Sequence, residues 1–189
     1  MRQPSTLTCR CETMSWRIAA RAQGRLILCY CADCQAAAHT LGADALLDDA
    51  GGTLLFQTLP DRIDITRGAD HLALLRLSPK GLLRWHAGCC GTPIATTLPK
   101  PLMPFAGVVL PQGHSDFGKP RARVFTQDAL RPVRQEGFGA AGAGIMLRAL
   151  TALAQGRRDS PFFGPGGDPV RTARVLTPAE RKSAARGRT

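Results

Sequence analysis

Between residues 53 and 85 lie Thr53-Leu54-Leu55-Phe56-Gln57-Thr58-Leu59, Arg62-Ile63-Asp64-Ile65-Thr66, the run His71 to Leu77, and Leu82-Leu83-Arg84-Trp85. These are short runs of aliphatic and β-branched residues, and 62–66 alternates strictly. Arg67-Gly68 and Ser78-Pro79-Lys80-Gly81 separate them as turns. An alternation of period two places successive side chains on opposite faces of a strand. The stretch 53–97 therefore predicts a β-meander.

Working outward, Phe105 to Leu110 is a further apolar strand and Pro120 to Phe125 a weaker one. Upstream, Trp16 to Ala20 and Arg25 to Leu28 read as strands around a turn at Gly24. The fold class expected is mainly β. Two helices interrupt it. Asp33 is placed to cap a short one through Gln35-Ala36-Ala37-Ala38-His39, stopped near Gly42. Ile145, Met146, Ala149, Leu150, Leu153 and Ala154 fall on one helical stripe and predict a second over 144–156. The composition changes near residue 127. The expected organisation is one domain over 1–126, then a C-terminal helix and a partly disordered basic extension over 127–189.

The chemistry sits in three cysteine clusters: Cys9-Arg10-Cys11, Cys29-Tyr30-Cys31-Ala32-Asp33-Cys34, and Cys89-Cys90-Gly91-Thr92-Pro93. The chain has seven cysteines, an odd number. Six of them have another cysteine within two positions, which suits thiolate metal ligation in a reducing compartment better than a disulfide framework. Zinc favours a tetrahedron of thiolate or imidazole ligands. Three thiolates at Cys29, Cys31 and Cys34 leave a fourth position for water or substrate, as in catalytic zinc sites. Cys9, Cys11, Cys89 and Cys90 would make a closed site tying the N-terminal strand to the end of the meander. Adjacent side chains point to opposite faces of a strand, so Cys89 and Cys90 can share one ion only on a turn, which Gly88 and Gly91 could provide. His86 is an alternative fourth ligand.

The order Cys-x-Cys, Cys-x-Cys-x-x-Cys, Cys-Gly-Thr-Pro resembles the glutathione-dependent formaldehyde-activating enzyme family, which includes centromere protein V. The resemblance covers roughly residues 7–110. Leu28 to Gln35, Ser78-Pro79-Lys80-Gly81 and Arg84-Trp85 are similar to a bacterial branch of that family. It implies a β-tent of antiparallel sheets holding zinc. One zinc would be structural, on the first and third clusters. The other would be catalytic, on Cys29, Cys31 and Cys34. The implied activity is carbon–sulfur lyase chemistry joining formaldehyde and glutathione reversibly. The family's third cluster is Cys-x-x-Cys-Gly, whose first position falls on Ala87 here, and Cys89 stands next to Cys90 instead.

Other polar residues have ordinary readings beside functional ones. Asp33 could hydrogen-bond a ligand, His39 could face the open zinc position, and Gln35 could touch a ligand. A helix cap, a surface histidine and a solvated helix start explain them as well. Trp85 reads as core, and His71 and His114 have no visible partner. The chain carries 25 Lys and Arg against 14 Asp and Glu, a net charge of +11. Such a surface attracts anions, but aromatics are scarce and no stacking motif or recognition helix is present, so nucleic acid is not expected. A solvated surface with a disordered basic end from Lys182 to Arg188 accounts for the charge. No secretory signal or membrane span is read, and a cytoplasmic location is expected.

The expected function is that of a zinc-dependent carbon–sulfur lyase acting on an adduct of a small thiol, such as glutathione, with a small aldehyde. The alternative is a non-catalytic, zinc-stabilised scaffold binding protein or nucleic acid through a basic face.

Overall fold

The computed structural model describes residues 3–186. Eleven strands and three α-helices are present among them. Strands β1 (Ser5–Thr8), β2 (Ser15–Ile18) and β5 (Ile63–Arg67) form a three-stranded antiparallel sheet. The other strands are β3 (Arg25–Cys29), β4 (Thr53–Thr58), β6 (Leu72–Arg76), β7 (Leu83–Ala87), β8 (Pro93–Thr97), β9 (Ala106–Val109), β10 (Arg123–Val124) and β11 (Ala173–Val175). They form a second sheet in the order β10-β3-β4-β9-β8-β7-β6-β11. Its central pairings are antiparallel, and the edge strands β10 and β11 join in parallel. The fold is mainly β, as the alternation predicts.

The main core lies between the two sheets. Leu7, Trp16, Ile18 and Ile63 of the small sheet pack with Phe56, Leu74, Trp85 and Val108 of the large one. Trp85 is core, as read, and its indole N–H donates to Thr97 Oγ1 at 2.9 Å. Strands β3 and β4 are buried on both faces. Leu26, Leu54 and Phe56 face the small sheet's core, while Ile27 and Leu55 join a second cluster with Cys29, Cys34 and Ala141. A strand covered on both sides reads as a continuous apolar run, which is why Leu54-Leu55-Phe56 lacks alternation.

Two strand assignments are corrected. Residues 62–66 do not belong to the meander: β5 leaves it to pair with β2 in the small sheet. Nor do the strands either side of Gly24 form a hairpin, since β2 and β3 lie in different sheets. A Cβ on Gly24 would stand 2.3 Å from Phe56 Cζ, so a close approach to the core, rather than a hairpin turn, requires glycine there.

Helix α1 spans Ala32–Thr40, and its N-cap is Cys31 in extended backbone, not Asp33. Gly42, at φ +60°, follows its end. Helix α2 spans Phe138–Ala154 and begins well before the predicted start. Its buried residues are Ala141, Ala149 and Ala152, while Met146, Leu147 and Leu150 are exposed. The small residues face inward because they let the helix approach the sheet closely; of the expected stripe, Ala149 is buried and Ile145 and Leu153 are half-buried, while Met146, Leu150 and Ala154 are exposed. Helix α3, Pro178–Arg186, runs through much of the basic end expected to be disordered. Residues 187 and 188 of that end lie outside the described residues. Leu176 and Ala184 pack with Ala36, Ala37, Leu75 and Leu77. No helix is long and apolar enough to cross a membrane among the described residues.

Candidate metal centres

Cys9 leaves the end of β1 in a tight turn. Its N–H donates to Met14 O at 3.0 Å, and Met14 N–H donates back to Cys9 Sγ at 3.3 Å. Glu12 N–H closes on Cys9 O at 2.8 Å, with Glu12 itself at φ +59°. This turn holds Cys9 and Cys11 with their sulfurs 3.5 Å apart. The connection from β7 to β8 supplies the other pair. Gly91, at φ +77°, donates to Ala87 O at 2.7 Å, and Cys90 N–H donates to the same oxygen at 3.2 Å. Of the two glycines expected to make the turn, Gly91 is the one in left-handed backbone.

The two turns converge. Cys89 Sγ lies 3.9 Å from Cys9 Sγ, 3.3 Å from Cys11 Sγ and 4.0 Å from Cys90 Sγ. All four sulfurs fall within 4.8 Å of one another. Sulfurs held at bonds of about 2.3 Å around one tetrahedral ion stand roughly 3.8 Å apart, so the donor set fits a single metal ion. His86 is not in this group; its Nδ1 lies 3.3 Å from Arg84 O, and burial lowers its pKa. Desolvation raises the Cys90 thiol, but the Thr92 hydroxyl, 3.1 Å away, and backbone prevail and bring it down to about 6. A thiol so disposed is readily a thiolate, the form that binds metal.

The second group is Cys29, Cys31 and Cys34, with ligand atoms again within 4.8 Å of one another. Cys29 ends β3, Cys31 caps α1, and Cys34 lies in the helix's first turn, donating its N–H to Cys31 O at 3.0 Å. The strand-to-helix corner therefore folds three sulfurs onto one point: Cys29 to Cys31 is 3.4 Å and Cys29 to Cys34 is 3.7 Å. Cys29 and Cys34 are buried and Cys31 is half-buried. Among the described residues no fourth His, Cys, Asp or Glu joins this group.

Three residues that support this corner were missed or misread in the sequence. Arg84 is buried on β7, and its Nη1 donates to Cys34 Sγ at 3.4 Å and to Thr96 Oγ1 at 3.1 Å. The Cys29 and Cys31 sulfurs, and after them the Arg84 charge, hold Cys34 well below the ordinary thiol range despite its burial. Asp33 is not a cap; it is largely exposed, with Oδ2 3.9 Å from Arg84 Nη2. Gln35 is not solvated. It is fully buried, and its Nε2 donates to Tyr30 O at 2.7 Å and Asp128 O at 2.9 Å, clamping the loop between Cys29 and Cys31. His39 does not join the sulfur group and ion-pairs through Nδ1 with Asp44. Arg84 stands in the sequence as a charge inside the apolar strand Leu83-Arg84-Trp85 and in the Arg84-Trp85 pair of the resemblance, but neither signal assigns it to the sulfurs.

Arg10 joins the two groups. Its backbone N–H donates to Thr92 Oγ1 at 3.1 Å, Nη1 donates to Gly42 O at 2.7 Å, and Nη2 donates to Cys90 O. One side chain thus ties the closed group to the far end of the helix that starts at the open one. A cavity of about 30 Å³ lies beside the open group, lined by Cys34, Ala37, Arg84, Trp85 and Thr96 among others.

Two cysteine centres on a mainly β scaffold, one of four thiols and one of three, define the class of protein. A family model described as "Family of unknown function (DUF6151)" matches residues 1–170, and the chain belongs to that family. Among solved structures, a Rhodobacter sphaeroides protein is similar at 19% identity and TM-score 0.39, covering 61% of this chain and 97% of that one. A search of curated proteins found no match.

Proposed function

We propose that this chain is a zinc-dependent carbon–sulfur lyase acting on the adduct of a small thiol with a small aldehyde, of the glutathione and formaldehyde type. The observation that carries this reading is the Cys29–Cys31–Cys34 group: three thiols at one point, with no fourth protein ligand among the described residues and one sulfur half-open. Three soft sulfurs suit zinc, and zinc bound there would supply Lewis acidity at its remaining position. The resemblance in residues 7–110 supports the same assignment, with a β-tent as the finer description of the two sheets.

Three thiolates and one Zn²⁺ carry a net charge of about −1, which needs compensation where water is excluded. Arg84 provides it, hydrogen-bonded to Cys34. The cavity beside Arg84 admits only one or two water-sized groups. It therefore suits the one-carbon aldehyde end of an adduct, with the rest of the thiol lying outside. In adduct cleavage the carbon–sulfur bond breaks, the hydroxyl loses its proton as the carbonyl forms, and the sulfur departs as thiolate. Asp33, exposed at the edge of the corner, is placed to take that proton through water.

The test is two-dimensional exchange NMR on glutathione and formaldehyde with the zinc-loaded protein. Exchange between free thiol and adduct should run well above the uncatalysed rate, and Cys31→Ser should return it to that rate while the fold persists. Catalysis unaffected by Cys31→Ser, or none in protein holding both metals, would defeat the lyase reading in favour of a zinc-stabilised scaffold.

A further inference from the structure

Helix α2 carries an apolar face that the fold does not cover. Its inner side packs through Ala141, Ala149 and Ala152. On the outer side Ala143, Leu147, Leu150 and Ala154 recur at intervals of four, three and four residues and so form one straight stripe, with Met146 beside it. All five are exposed, Leu147 by 69% and Leu150 by 56%. The helix has one charged residue, Arg148, and that residue is half-buried. A surface helix ordinarily turns charged side chains to water, and one that is apolar all round is ordinarily covered all round. An exposed apolar patch of this kind marks an interaction surface.

Two further apolar groups are exposed at the start of the helix. Phe138 and Phe125 pack edge to face, with ring centroids 5.4 Å apart, and both remain open to solvent. Phe125 is held in left-handed backbone, at φ +56°, where bulky residues are seldom found. The fold thus tolerates strain at a residue whose ring it leaves at the surface.

The charge around this face is one-sided. The segment 121–158, which supplies β10, the two rings and α2, has seven arginines, no lysine and two carboxylates, a net charge of +5. Both carboxylates are engaged: Asp128 accepts from Ala32 N–H at 3.1 Å, and Glu136 pairs with Arg123. Arg131 and Arg134 before the helix and Arg158 after it are exposed. A second copy of this chain on the same face would oppose arginine to arginine, which disfavours association. A layer of anionic lipid offers the complement, with hydrocarbon for the stripe and phosphates for the guanidinium groups.

We propose that the outer face of α2, with Phe125 and Phe138, docks on a bilayer surface of anionic phospholipid. The helix, about 25 Å long, lies in the plane of the surface, its leucines enter the headgroup region, and the arginines at its ends meet the phosphates. Ala141, on the inner side of the helix, packs in the cluster that contains Cys29 and Cys34, so docking brings the open cysteine group towards the lipid surface. The proposal does not rest on the lyase reading, since it uses no cysteine.

The experiment is co-sedimentation of the metal-loaded, full-length protein with vesicles of phosphatidylcholine alone and of phosphatidylcholine with about one-third phosphatidylglycerol. Binding to the anionic vesicles should be at least about tenfold tighter and should weaken as salt is raised. Leu147→Gln combined with Leu150→Gln should weaken it about tenfold or more, with the melting temperature in the absence of lipid unchanged or raised, because both side chains are exposed. Arg131→Gln and Arg134→Gln should each cost about fivefold, and they carry the test should the leucine variant fail to fold. Val175→Gln, an exposed apolar position on β11 at the opposite edge of the large sheet from β10, should change affinity less than about twofold. No binding to anionic vesicles, equal binding to both kinds, or an equal loss with Val175→Gln would overturn the proposal. So would a dimer in sedimentation velocity that the leucine variant abolishes while vesicles go unbound, which would assign the face to a second copy. Cys31→Ser should bind vesicles as the wild type does, so failure of the lyase reading would be seen separately.

Discussion

Arg84 shows how one side chain can set the charge around a group of thiols that could hold a metal. It is a buried cation whose nearest negative charge is the sulfur cluster it touches, with Asp33 at the edge. Replacing it with methionine keeps the volume and removes the charge. Arg84→Met should weaken metal binding at the open group by about 10–100-fold, the usual cost of losing a ligand's hydrogen-bond partner. Competition with a chromophoric chelator would measure it, and the four-cysteine group should keep its affinity. In the sequence the ligands were legible and their support was not. The cysteines declare themselves by spacing. Arg84 looks like one polar residue among strand residues, because burial of β7 beneath α1 is set by tertiary packing. Gln35 was misread for the same reason: a polar residue at a helix start ordinarily faces water, and here it faces two backbone carbonyls.

The elements that carry the closed group are two turns, and Gly91 is the position where the backbone has least choice. It combines φ +77° with a Cβ position that would lie 2.4 Å from Leu41 O. Gly91→Ala should destabilise the protein by about 2 kcal/mol or more, seen as a lowered denaturation midpoint. Helix α2 offers a contrast between sequence pattern and packing. The apolar stripe predicts both Ala149 and Leu150 inside, whereas the structure buries Ala149 and exposes Leu150. Ala149→Leu should therefore cost about 1–3 kcal/mol by overpacking, while Leu150→Ala should stay within about 0.5 kcal/mol. Chemical denaturation of the two variants separates the readings. Hydrophobic periodicity finds a helix, but it cannot say which face a neighbouring sheet will accept when small residues lie on one side. The strands were legible one by one through alternation. Their division between two sheets was not, because β5 pairs with β2 across a separation the local pattern does not record.

Across the whole molecule, α1 runs from the open cysteine group to the neighbourhood of the closed one. Nine residues at 1.5 Å each give about 13 Å. Arg10 secures its far end to the closed group through Gly42 and Cys90. Two centres on one scaffold with different ligand counts should behave differently. Cys9→Ser should lower thermal stability and disturb both centres, because closure of that group joins strands some eighty residues apart in sequence and metal binding adds to folding free energy. Cys31→Ser should remove one metal and leave the melting temperature within a few degrees of the wild type. The central claim is that one centre is closed and the other is open to a thiol, and cobalt substitution addresses it directly. Protein loaded with Co²⁺ and titrated with glutathione should hold two ions per chain. One set of visible absorption bands should stay fixed and a second should shift as the thiol binds, with the second set missing in Cys31→Ser. A single ion per chain, or two sets of bands that both ignore glutathione, would contradict the account.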